Sequence, residues 1–66
     1  MQMSHVNSSA MVAVGYDASR LQMKITFSKG NTYDFCRVPQ QVFDGLLRAS
    51  LNGSYYNDQI KDRYVC

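Results

Sequence analysis

Glutamate is absent from this 66-residue chain, histidine and proline occur once each, and cysteine occurs only twice. These shortages narrow function before any motif is considered. The acidic residues are all aspartates, and Asp34 and Asp44 stand alone in sequence, so no carboxylate couple for acid–base chemistry is evident. His5 lies in a polar leader, far from both cysteines, which matches no familiar metal-ligand spacing. The same distance leaves Cys36 without a base to activate it as a nucleophile. Gly15, Gly30, Gly45 and Gly53 are dispersed and build no phosphate loop. No apolar run approaches the ~18 residues of a membrane-spanning helix. The start, Met1-Gln2-Met3-Ser4-His5, has neither the basic nor the apolar region of a signal peptide. Cys36 falls in a predicted strand and Cys66 at the last position, where chains commonly fray. Both are expected as free thiols in a reducing compartment. The expectation is a non-enzymatic cytoplasmic protein without cofactor or metal.

What is present supports one small core. Hydrophobic residues make up 45% of the chain, and five tyrosines and three phenylalanines supply its bulk. Seven Lys and Arg against five Asp leave a formal charge of +2, which permits a polyanionic partner without a dense basic footprint. Residues 1–9 are polar, lack periodicity and are expected as a flexible leader; residues 10–66 form the single domain. Three strand-like segments follow the leader, Met11 to Tyr16, Leu21 to Phe27 and Asn31 to Arg37. In the second, Leu21, Met23, Ile25 and Phe27 alternate with Gln22, Lys24 and Thr26, the period of a sheet with one buried face. A three-residue Ser28-Lys29-Gly30 turn, glycine third, pairs Phe27 with Asn31, Ile25 with Tyr33 and Met23 with Phe35. A loop over Asp17 to Arg20 pairs Tyr16 with Leu21, Val14 with Met23 and Val12 with Ile25. The buried face then collects Val12, Val14, Tyr16 and Leu21 as well as Tyr33 and Phe35.

Helices supply the covering layer. Pro39 suits a first helical position, and Val42, Phe43, Leu46 and Leu47 form an apolar stripe. Gly45 within that helix implies close approach to the sheet. Asn52-Gly53 offers a left-handed stop, and Ser54 a cap for a shorter helix carrying Tyr56, Ile60 and Tyr64 on one side. The expected class is α+β: a three-stranded antiparallel meander packed on one face by a long and a short C-terminal helix, in the order β-β-β-α-α.

This succession of residues resembles the KTSC domain, named for its occurrence at the C-terminus of some lysyl-tRNA synthetases. The resemblance runs from about Ser8 to Tyr64. It is carried by Val14-Gly15-Tyr16-Asp17, by Tyr33-Asp34-Phe35, by Val38-Pro39 with Val42-Phe43 and Leu46-Leu47, and by Gly53-Ser54-Tyr55-Tyr56-Asn57. The family's central Tyr-x-Tyr has Phe35 in its second place here, so a second hydroxyl is missing or supplied otherwise. The resemblance implies a small stand-alone bacterial or phage domain, with RNA binding as the suggested activity.

Candidate sites follow from residue type. Tyr33 and Phe35 could stack on bases, but the register sends both to the core. A basic and tyrosine-rich set, Arg37, Arg48, Tyr55, Tyr56, Lys61 and Arg63, combines cations for phosphates with aromatics for bases. Against it, Asp58 and Asp62 are placed to form surface ion pairs with those cations. RNA or single-stranded nucleic acid is the first expected partner. The alternative is docking on a larger protein, through exposed strand edges or the flat outer sheet face, as a monomer or weak homo-oligomer.

Overall fold

The computed structural model describes residues 1–6, 8–50 and 52–66. Four strands, β1 (Met3–His5), β2 (Met11–Asp17), β3 (Gln22–Phe27) and β4 (Thr32–Phe35), form an antiparallel sheet in sequence order. The three-strand expectation is therefore corrected by one. Met3–His5 lies within the expected leader yet pairs with β2, Met3 opposite Gly15 and His5 opposite Ala13. A short, polar edge strand has no buried face of its own, so no apolar alternation announces it.

The β3–β4 hairpin has the expected register, with Met23 opposite Phe35 and Ile25 opposite Tyr33. Its turn closes with Gly30 at φ 101° and the Phe27 amide on the Asn31 carbonyl at 2.8 Å. The β2–β3 hairpin is shifted by two residues from the expected pairing: Asp17 faces Gln22, Tyr16 faces Met23 and Val14 faces Ile25. An even shift preserves the faces of Val14 and Tyr16. It moves Leu21 into the turn, where it adopts φ 54° and is 44% exposed rather than buried. Asp17 organises this turn. Its carboxylate accepts from the Ser19 hydroxyl at 2.7 Å and the Ser19 amide at 3.1 Å, and the hydroxyl bond is the main reason its pKa is lowered. Whatever this turn contributes is present above the usual carboxylate range and fades as pH falls through the depressed value.

A second correction concerns the start of β2. The ladder passes from Met11–Phe27 to Ala13–Thr26, leaving Val12 as an extra residue. This bulge reverses the local facing: Met11 is fully buried and Val12 is 41% exposed. The core combines Met11, Val14, Met23, Ile25 and Phe35 from the sheet with Val38, Leu46 and Ile60.

Helix α1 (Gln40–Arg48) follows Pro39, which stands in extended conformation just ahead of it. Its inner side brings Leu46, Val42 and Phe43 to the core, and Phe43 stacks on Tyr16 at 5.0 Å between ring centroids. Leu47, expected on the apolar stripe, is exposed. The Tyr16 hydroxyl donates to the Val38 carbonyl at 2.6 Å, tying the sheet to the segment that enters the helix. After α1 the chain turns at extended Ala49. Asn52 is not a left-handed stop: it opens helix α2 (Asn52–Tyr55), is buried, and donates through Nδ2 to the Leu46 carbonyl at 2.6 Å. Ser54 consequently lies inside α2 instead of capping it, and the helix continues as a π-helical turn, Tyr56–Ile60.

Gly45 meets a neighbour other than the expected one. A Cβ there would collide with the ring of Tyr55, whose hydroxyl donates to the Val42 carbonyl at 3.1 Å. The close approach is helix to helix. Gly45→Ala gains ~1 kcal/mol of helix propensity, but the planar ring has to leave its bed. Overpacking of ~1–3 kcal/mol outweighs that gain and leaves a net loss of up to ~2 kcal/mol, read as a lower urea midpoint; a raised midpoint would show that Tyr55 is free to move aside.

The two cysteines are joined, Cys36 to Cys66, which corrects the free-thiol expectation. The segment after the π-helical turn is not frayed. The Cys36 amide donates to the Tyr64 carbonyl at 2.9 Å, and Phe35 and Val65 form an isolated antiparallel bridge. Backbone pairing along β4 thus carries Cys66 to Cys36, and the thiol-based support for a reducing compartment falls away. Among the described residues, no helix is long and apolar enough to cross a membrane.

Candidate nucleic-acid interface

The expected fate of Tyr33-Asp34-Phe35 divides at its two aromatic rings. Phe35 is 7% exposed and belongs to the core, whereas Tyr33 is 51% exposed although it lies on the inward face, opposite Ile25. The core expectation for Tyr33 is corrected, and the reason is coverage. The aromatic contact of α1 with the sheet is on Tyr16, while Tyr33 sits beside the β3–β4 turn against Phe27. Its ring meets Phe27 edge-on at 5.6 Å; Phe27 meets Tyr56 at 5.1 Å, and Tyr56 meets Phe35 at 6.0 Å. The inward face has an open end, floored by this aromatic series.

That end forms a groove of about 580 Å³, in which Phe27, Tyr33 and Tyr56 are joined by Lys29, Asn31 and Lys61. The hairpin turn supplies Lys29 and the residue after the π-helical turn supplies Lys61, so the two cations reach one groove from distant parts of the chain. Asn31 approaches the Tyr33 hydroxyl through Nδ2 at 3.5 Å. On its other side the Tyr33–Tyr56 ridge borders a smaller hollow of about 190 Å³ that contains Asp34, Asp62 and Val65. Burial raises the Tyr56 pKa, with Asp62 and then Tyr33 adding to the effect, so its hydroxyl keeps its proton at neutral pH. The ridge thus divides a basic side from an acidic one.

The structure brings together only part of the basic and tyrosine-rich set. Lys61 and Tyr56 line the groove. Tyr55 is half-buried against α1 with its hydroxyl committed to Val42. Arg37 leaves β4 at φ 57°, Arg48 ends α1 and Arg63 follows the π-helical turn; all three are exposed, and none lines the groove. Arg63 reaches Asp58 through its backbone carbonyl, at 3.2 Å from Nε, and not through an ion pair with its carboxylate. Among the described residues the ion pairs are Arg20–Asp17 and Lys24–Asp34. Lys29, Asn31 and Phe27 escaped the sequence reading. The hairpin register already placed Phe27 and Asn31 beside Tyr33 at the turn, and that was the signal available.

A family model and a solved structure point to one family. The KTSC domain profile matches residues 7–64. A protein of Tsukamurella paurometabola is 40% identical over 62 residues, covering 94% of this chain and 92% of the relative. A protein of Stutzerimonas stutzeri is 30% identical over 59 residues, covering 89% and 83%. The crystal structure of a KTSC domain protein from Yersinia pestis superposes with a TM-score of 0.95 at 28% identity, covering 98% of this chain and 92% of that one.

Proposed function

We propose, from the premise that this chain belongs to the KTSC domain family, that it is a non-catalytic module whose aromatic groove binds single-stranded nucleic acid, RNA in the first instance. The observation that carries this reading is the half-exposed Tyr33 ring in one groove with Lys29 and Lys61. A base has a π-face to lay on Tyr33, and the adjoining phosphates have two ammonium groups to meet. Asp62 repels a backbone on the far side of the ridge, where the charge of Asp34 is met by Lys24, so the strand lies on the lysine side. RNA is favoured by the family's association with lysyl-tRNA synthetases. The earlier candidates Arg37, Arg48 and Arg63 are left to long-range attraction, and Tyr55 to packing.

Two cations imply modest, salt-sensitive affinity, with a slope of log affinity on log salt of about −1.4 for a single strand. Tyr33→Ala should weaken binding of a fluorescein-labelled oligouridine by roughly 5- to 150-fold, the worth of one stacked base. Its thermal midpoint should stay near wild type, because the ring is half in water. Anisotropy titrations at low salt check this. Absence of binding to both oligouridine and its DNA counterpart would sink the reading. The alternative, a protein-docking module, would then draw on the exposed Met1 and Met3 beside the free edge of β1.

A further inference from the structure

The structure assigns a reactive site to this domain, independent of the groove's ligand: the Cys36–Cys66 disulfide is a thiol-exchange latch, opened by a dithiol reductant, that holds Val65 and Cys66 along the outer edge of β4. The non-covalent hold on this segment is slight. Val65 is 64% exposed and Cys66 is exposed, and the backbone holds them only through the isolated Phe35–Val65 bridge, with its Cys36 amide to Tyr64 carbonyl hydrogen bond. Tyr64 packs against the core, so the chain is anchored by that side chain and release begins at the Tyr64 carbonyl. One net hydrogen bond does not offset the freedom two exposed residues regain on release. The covalent bond is what keeps them in place.

The two sulfurs are also unequal. Cys66 is open to an incoming thiolate, whereas Cys36 is half-buried, and its Sγ accepts a long hydrogen bond from Gln22 Nε2 at 3.9 Å. Gln22 lies opposite Cys36 by one further step of the β3–β4 register. A donor at that sulfur favours negative charge on it, which makes Cys36 the better leaving group. In the first step a reductant thiolate attacks Cys66 Sγ, a new S–S bond forms there, and the Cys36 thiolate departs and takes up a proton. In the second, the reductant's other thiolate attacks its own sulfur in the mixed disulfide and releases Cys66, which is protonated in turn. The protein gains two electrons and two protons, and the dithiol becomes a disulfide. Release uncovers the β4 edge at Phe35 and Cys36 and removes Val65 from the hollow beside the Tyr33–Tyr56 ridge.

The test is amide hydrogen exchange by NMR on the full chain, with and without dithiothreitol, at low temperature, together with a glutathione trap read by mass spectrometry. The expected result is that the Cys36 amide loses most of its protection on reduction, while the β3 amides of Met23 and Ile25, which open only with the whole fold, exchange faster in step with the lower global stability but stay protected, and that the glutathione adduct falls on Cys66. A Cys36→Ser, Cys66→Ser double variant should show the reduced pattern without dithiothreitol. Unchanged protection at Cys36, lost protection at Met23 and Ile25, or failure of dithiothreitol to open the bond in the folded protein each overturns the latch. An adduct on Cys36 overturns the order of attack.

Discussion

Ile25→Ala is expected to lower stability by ~2–5 kcal/mol and leave a large fraction of the chain unfolded at room temperature. Ile25 is fully buried at the middle of β3, between Val14 on one neighbouring strand and Tyr33 on the other. Truncation removes apolar contacts and leaves a void that cannot collapse, because the residue is held on both sides by hydrogen-bonded strands. A domain of this length has only ~3–10 kcal/mol in total, so one cavity consumes much of it. Ile25→Val, which removes one methylene, should cost ~0.5–1.5 kcal/mol and remain folded. Urea unfolding followed by far-ultraviolet circular dichroism measures both. A loss below ~1 kcal/mol for the alanine variant would mean that the core is not centred on β3.

Removing the disulfide ranks second. Cys36 and Cys66 are 30 residues apart, and a cross-link of that span restricts the unfolded chain by ~3–4 kcal/mol in the chain-entropy account. Release of Val65 and Cys66 in the reduced native state returns a little of this, so the expected net loss is ~2–4 kcal/mol. Urea midpoints of wild type with and without reductant and of a Cys36→Ala, Cys66→Ala double variant separate the cause. Reduced wild type and double variant should coincide, both well below the oxidised protein. Coincidence of all three midpoints would show that the bond constrains nothing.

The sequence was most legible where local chemistry and periodicity agreed. Gly30 and the alternation of Met23, Ile25 and Phe27 determined the second hairpin down to its pairing. The first was read with the right faces but two residues out of register, because nothing marks Leu21 as a residue that will take a left-handed turn conformation. Val12 and Met11 were exchanged for a similar reason: an extra residue in one strand is decided by its partner, not by its own side chains. The candidate site was half legible. Residue type points to Lys61 and Tyr56, but the inward face on which the register puts Tyr33 is buried only as far as the covering layer extends. Lys29 passed as a turn residue. The disulfide depends on where the chain ends up after Tyr64, a long-range outcome that composition cannot carry.

The extra residue at Val12 acts like a phase change in a periodic signal. Beyond it, Val14 and Tyr16 keep one parity; before it, Met11 keeps the other, and both parities end in the same core. The Val6 amide still reaches the Val12 carbonyl at 3.0 Å, so β1 is counted from the same point. The beginning of this domain is therefore specified by residue count as much as by residue type. Exchanging Val12 for another side chain alters one exposed group, whereas deleting it would leave Met11 opposite Phe27 and inward by ordinary alternation, so the loss would fall on the strand hung in front, which would no longer have the Val12 carbonyl that receives the Val6 amide.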